Sequence, residues 1–181
     1  MLRKLAKRAR MARWGLAWRR FRWRVSGALC GQITVDTRQG KLTVSTADQI
    51  IGKSLFLHGG FEDAYVAATL SFLRAEGMLP AKGTGTVVDI GANLGVISIG
   101  MMRDAEFARA IAIEPDPYNF SLLQRNTRQN GLTPATFACL RRAVSDRAGE
   151  VPFELSKDNF GDHRVRELGD EGNFDNVVLA H

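Results

Sequence analysis

Over the first two dozen residues, apolar side chains return every three or four positions at Leu2, Leu5, Ala9, Ala12 and Leu16, with Arg and Lys filling most places between. That period predicts an amphipathic helix. Trp14, Trp18, Phe21 and Val25 carry a second apolar stripe onward, and all three Trp of the chain, Trp23 included, lie here among arginines. The period then changes. Ile33 and Val35 alternate with polar neighbours, Gly40 supplies a turn, and Leu42 and Val44 resume the alternation, which predicts a β-hairpin over residues 32–45. Gly52, Gly59 and Gly60 read as a loop. Phe61 to Glu76 reads as a helix with Phe61, Tyr65, Ala68 and Phe72 on one face, ended by Gly77, Pro80, Gly83 and Gly85.

From Thr86 the pattern alternates between short β-branched runs and helical stretches. Thr86 to Ile90 predicts a strand buried on both faces, and it runs into Gly91-Ala92-Asn93-Leu94-Gly95. A helix is expected from Val96 to Arg103, then a second buried strand at Ala110 to Ile113 that ends at Glu114. Tyr118 to Asn130 is helical, with Phe120, Leu123 and Thr127 along one side and Gly131 closing it. A third strand follows around Thr136 to Val144, and Glu150 to Leu155 is strand-like. This order predicts an α/β fold with a Rossmann-like, doubly wound parallel sheet. Three regions follow: a basic helical arm over 1–30, a hairpin and helix cap over 31–85, and the sheet-forming part over 86–181.

Charge changes the picture only at the N-terminus. Residues 1–24 hold ten basic residues and no acidic one, a charge of +10, whereas the rest of the chain sums to −4. The overall +6 therefore describes the arm, not the domain. Such an arm suits an anionic membrane surface, and nucleic acid or a partner protein are other candidates. A solvated helix packed loosely on the domain is the plainer reading and the one preferred here. With 45% apolar residues the chain can bury a core, and two cysteines, Cys30 and Cys139, exclude a disulfide scaffold. No export signal or membrane-spanning run is found, so a cytoplasmic location is expected, with peripheral membrane contact through residues 1–24 as the alternative role of the arm. No metal site is suggested.

In open parallel sheets, ligands bind beyond the carboxyl ends of the strands. Those ends carry Asp89 with the glycine turn, Glu114, and Ala143 to Asp146. A carboxylate ending the second strand suits the two hydroxyls of a ribose. A dinucleotide fingerprint would need glycine at its first, third and sixth positions, but aligned on Gly91 these are Asp89, Gly91 and Leu94. Asp89 would repel a pyrophosphate and attract a sulfonium or ammonium group. The turn thus favours S-adenosylmethionine over NAD.

The run Val87-Val88-Asp89-Ile90-Gly91-Ala92-Asn93-Leu94-Gly95, followed by Ile113-Glu114-Pro115-Asp116-Pro117, resembles the FkbM family of class I S-adenosylmethionine-dependent methyltransferases. Gly60-Phe61-Glu62, the segment Asn126 to Leu132, and Ala143-Val144-Ser145-Asp146 agree with it, so the likeness covers about residues 50–165. The resemblance implies O-methylation of a hydroxyl on a sugar, glycolipid or other natural product. It implies that Asp89 holds the methionine end of the cofactor, directly or through water. Gly91, Ala92 and Asn93 would wrap the cofactor with backbone, Glu114 would bind the ribose, and Ala143 with Val144 would flank the adenine. The expected partner is a small-molecule or glycan acceptor, with no specific nucleic acid. No catalytic base stands out: His58, His163 and His181 read as surface histidines, and Glu62 either faces the site or caps its own helix.

The family pattern continues through a Thr-Leu-Asp-Asp-like segment and a later Ile-Asp-Val-Glu-Gly-like strand end, neither of which occurs before His181. The expectation is a truncated member holding the cofactor half of the fold. Two alternatives accompany it: a non-catalytic remnant that binds the cofactor weakly or not at all, and a membrane or polyanion adaptor working through the arm.

Overall fold

The computed structural model describes residues 2–146, 149–156, 159–165 and 177–180, and the side chains of the first helix from Gly15 onward. Helix α1 (Leu2–Leu29) leads into a hairpin of β1 (Gln32–Thr37) and β2 (Gly40–Ser45), then α2 (Ile51–His58) and α3 (Asp63–Ala75). Next come β3 (Thr86–Ile90), α4 (Val96–Arg103), β4 (Arg109–Ile113), α5 (Pro117–Gln129) and β5 (Phe137–Leu140). The remaining strands are β6 (Val151–Glu154), β7 (Arg164–Val165) and β8 (Val177–Ala180).

Strands β3, β4 and β5 form a parallel sheet in chain order, with Ile90 beside Ile113 and Ile113 beside Leu140. This is the α/β arrangement that the alternating pattern predicts. β6 lies between β7 and β8 in a separate antiparallel sheet. One face of the parallel sheet is packed: Ala110, Ala112 and Phe137 share a core with Leu94, Val96 and Ile99 near α4 and with Leu122 and Leu123 of α5. Side chains alternate across a strand, and on the other face Val88, Ile90 and Leu140 are exposed. The expectation that Thr86 to Ile90 is buried on both faces is therefore corrected: among the described residues α4 and α5 cover only one side.

The hairpin joins the same core. Leu42 and Val44 are fully buried in it, and on the opposite face of β2 the Thr43 hydroxyl meets Thr34 Oγ1 at 2.8 Å and donates to Gln129 Oε1 of α5 at 3.3 Å. The Asn126 side chain of α5 closes the free edge of β2: its Oδ1 accepts from Thr43 N at 2.7 Å, while its Nδ2 donates to Thr43 O and to Leu94 O at 3.1 and 2.9 Å. A fully buried amide with both ends satisfied fixes three segments at once.

Two further expectations are corrected. Residues 51–58 form a helix rather than a loop, because Asp48 accepts from the N–H groups of Ile50, Ile51 and Gly52 (3.0, 3.2 and 2.9 Å), supplying acceptors for its first turn. Gly52 belongs to that helix for lack of space, since a Cβ there would sit 2.8 Å from Ser45 O. In α3 the face bearing Tyr65 and Phe72 is exposed, and Leu70 is the buried residue. The helix is anchored near its end by Arg74 pairing with Glu106 at 2.8 Å.

For α1, Leu2, Leu5, Ala9 and Ala12 of the first stripe and Trp14 of the second lie outside the described side chains. The described half docks through Trp23, buried against the Phe56 ring with centroids 5.4 Å apart. Arg22 sits over the same ring, and Arg19 donates to Leu57 O at 2.8 Å.

Candidate functional site

The turn after β3 is built from three residues with left-handed backbone: Gly91 (φ 77°), Asn93 (φ 51°) and Gly95 (φ 88°). The two glycines are needed for different reasons. At Gly95 a Cβ would lie 2.7 Å from Leu123 Cδ1 and 2.8 Å from Ile99 Cδ1, so the residue lets α4 pack onto α5. At Gly91 a Cβ would meet nothing within 4 Å, so the absent side chain leaves open space at the strand end. Asn tolerates the left-handed region better than other side chains. Asn93 adds its own support, with Oδ1 accepting from Leu94 N at 2.7 Å and Nδ2 donating to Phe160 O at 2.6 Å. Gly91 N and Ala92 N both donate to Ile113 O, at 2.9 and 3.0 Å, which ties the turn to the neighbouring strand.

Glu114 completes that tie. Its Oε2 accepts from Asn93 N at 2.8 Å and its Oε1 from Asp116 N at 2.9 Å, in a side chain that is 3% exposed. Burial pushes its carboxyl up to about 7, opposed by the N–H bonds of Asp116 and Asn93 and assisted by the negative charges of Asp116 and Asp89. Each carboxylate oxygen retains a lone pair for a ligand hydroxyl. Asp89 is also raised, chiefly by burial, and Ser98 moderates the rise with its side chain and backbone. Its Oδ2 and the Ser98 hydroxyl are both buried, near enough for Ser98 to steady the charge but outside hydrogen-bond geometry. Asp116 starts α5 by accepting from Asn119 N at 2.7 Å.

Beyond the ends of β3, β4 and β5 a cleft is lined by Gly91, Asn93, Glu114, Ala143 and Val144. Five of the seven sequence-expected cofactor residues thus meet in one place. Ala92 and Asp89 do not line the cleft; Ala92 is buried, and Asp89 lies close enough to Glu114 for its charge to raise that carboxyl. Glu62 is exposed and sits at the start of α3 with φ 55°, away from the cleft.

Sequence reasoning missed part of the lining. Arg142 places a guanidinium at the rim, and Phe153, Phe160 and His163 form an aromatic wall. The reading of His163 as a surface histidine is corrected: it is half-buried, with its ring 5.6 Å from that of Phe160 and 6.1 Å from that of Phe153. Ser156 N donates to its Nδ1 at 2.9 Å, which fixes the neutral ring with its proton on Nε2. Burial lowers its pKa, against the charges of Asp116, Asp48 and Asp162. His58 is exposed, as expected, and His181 lies outside the described residues. Only the local run Phe160-Gly161-Asp162-His163 marks this wall in the sequence, and nothing in it shows that Phe160 O accepts from both Asn93 and Asn119.

The matched region of this chain is 36% identical over 67 residues to Methyltransferase sdnD of Sordaria araneosa, covering 37% of this chain and 26% of that protein. The match therefore spans about a quarter of the relative's length. A tRNA m1G37 methyltransferase from M. jannaschii superimposes with a TM-score of 0.43 at 19% identity, over 61% of this chain and 28% of that one. No protein-family profile, FkbM included, matches the chain.

Proposed function

We propose that the chain is an S-adenosylmethionine-dependent methyltransferase that methylates a hydroxyl on a sugar, glycolipid or other natural product. The observation that carries this reading is the convergence of Glu114, the Gly91 turn and Ala143-Val144 on one cleft at the ends of parallel strands. The likeness to Methyltransferase sdnD supports it. The residues fit the cofactor: Glu114 keeps lone pairs for the ribose hydroxyls, Gly91 leaves room for close approach, and Asp89, buried behind the cleft wall with an unpartnered Oδ2, would hold the methionine ammonium through water.

S-adenosylmethionine, when bound, supplies a methyl group already activated by positive sulfur. The protein's own part is mainly alignment, and orientation alone can lower a barrier by roughly 7–11 kcal/mol. Asp89 and Glu114 set the position of the cofactor's two ends, and Ala143 with Val144 offers the adenine an apolar flank. His163 lines the cleft as a neutral ring with its proton on Nε2, a group that can donate to an acceptor oxygen and not one placed to remove its proton.

Calorimetric titration with S-adenosylhomocysteine tests the proposal. Saturable binding that Glu114→Ala weakens is expected, followed by transfer of labelled methyl to a hydroxylated acceptor. Binding without transfer to any acceptor would favour a cofactor-binding remnant. A folded protein that does not bind at all would sink the reading.

A further inference from the structure

We infer that α1 is a two-sided helix whose outward stripe seats the protein on an anionic phospholipid surface. The helix docks through Trp23, which is 4% exposed. Trp18, Phe21, Val25 and Leu29 follow one another at spacings of three, four and four, which places them on one stripe roughly half a turn away from Trp23. They are 61, 55, 39 and 76% exposed, and the rings of Trp18 and Phe21 stack with centroids 5.6 Å apart. This is a contiguous apolar surface on a helix that already has its buried face.

Charge names the occupant. Arg20 and Arg24 border the stripe beside Phe21, and a groove between α1 and α2 adds Lys53 and the exposed Ile50 to the same region. Among the described residues no acidic side chain pairs with Arg20 or Arg24, and the first acidic residue of the chain is Asp36. A second copy packed symmetrically, arm against arm, would bring a like charge against this stripe. Nucleic acid would answer the arginines but gives no reason for exposed Val25, Leu29 and Ile50. A bilayer with anionic headgroups satisfies both: arginine on lipid phosphate, aromatic and aliphatic side chains at the acyl boundary. No described helix is long and apolar enough to cross a membrane, so the contact lies in the plane of the surface.

The test is flotation of the full chain with phosphatidylcholine vesicles, with and without about one-third phosphatidylserine. Binding to the anionic vesicles is expected, with a blue shift of tryptophan emission. It should fall about tenfold or more on neutral vesicles, and likewise in about 0.5 M salt. The pair Trp18→Ser and Phe21→Ser should lower it about tenfold with unfolding temperature unchanged, since neither residue is packed in the core. Val25→Ser with Leu29→Ser repeats the experiment should the first pair misfold. Equal binding to both vesicle types, or binding indifferent to both pairs, overturns the inference. So does binding of duplex DNA or RNA in place of vesicles, or a dimer in sedimentation that the substitutions dissociate without any vesicle binding. None of these results bears on S-adenosylhomocysteine, so this inference and the cofactor proposal fail separately.

Discussion

Asp89 and Glu114 terminate adjacent parallel strands, both are withdrawn from water, and burial raises the pKa of both. Their surroundings differ. Glu114 is held on both oxygens by backbone N–H groups and in turn holds the glycine turn to the start of the next loop. Asp89 has a buried oxygen with no partner and only Ser98 to moderate its charge. A carboxylate that organises its surroundings differs from one that waits for a partner: removing the first damages the scaffold as well as the site, while neutralising the second touches the site alone.

Glu114→Ala should have the largest effect. It leaves two N–H groups without acceptors, costing on the order of 3 kcal/mol in urea unfolding, and S-adenosylhomocysteine affinity should fall more than about 100-fold. Asp89→Asn should leave unfolding within about 1 kcal/mol of wild type while weakening the same ligand by roughly 10- to 100-fold, the loss of one charge-assisted hydrogen bond. If unfolding suffers equally in both variants, the two carboxylates do not divide the work in this way.

Acidity gives the next effect in size. Because folding raises the Glu114 pKa from 4.5 to about 7, the protonated form is the one that folding favours, and Asp89 shifts in the same direction. The stability from Glu114 is in place below pH 4.5 and is lost as pH rises through about 7, a slope that Glu114→Gln should remove from the thermal unfolding profile. Ligand hydroxyls need the ionised form, so affinity should climb about tenfold between pH 6 and 8 in wild type and stay level in Glu114→Gln. Ser98→Ala should have the smallest effect, under about 1 kcal/mol in unfolding, with Asp89 pushed further upward when its pKa is read by NMR.

The elements from Thr86 to Gln129 were legible because each has a strong period and a glycine or carboxylate at or near its end; the third strand has no such marker and stops at Leu140, short of the expected Val144. Burial was less so. Alternation in Leu42-Thr43-Val44 suggests a half-buried strand, yet Thr43 is buried too, because Gln129 of α5 meets its hydroxyl and Asn126 satisfies its backbone. The apolar run Val87-Val88-Asp89-Ile90 suggests a strand buried on both faces, yet it is covered on one. In both cases the neighbouring element decides, and a single strand's sequence does not contain it. Helix α2 was hidden for a related reason: Gly52 looks like a loop residue until Ser45 O is seen against it. Of the cleft, the glycine turn and Glu114 were readable, whereas the wall of Phe153, Phe160 and His163 depends on side chains meeting across a distant segment.

The carboxamide of Asn126 joins positions 83 and 32 residues away in the chain, linking the hairpin to the carbonyl of Leu94 inside the glycine turn. The hairpin is thus a keystone of the ligand-facing loop and not a removable preface to it. A recombinant piece beginning at Thr86 would keep every residue of the motif and the Asn126–Leu94 bond, yet leave the carboxamide without the two Thr43 partners that brace it.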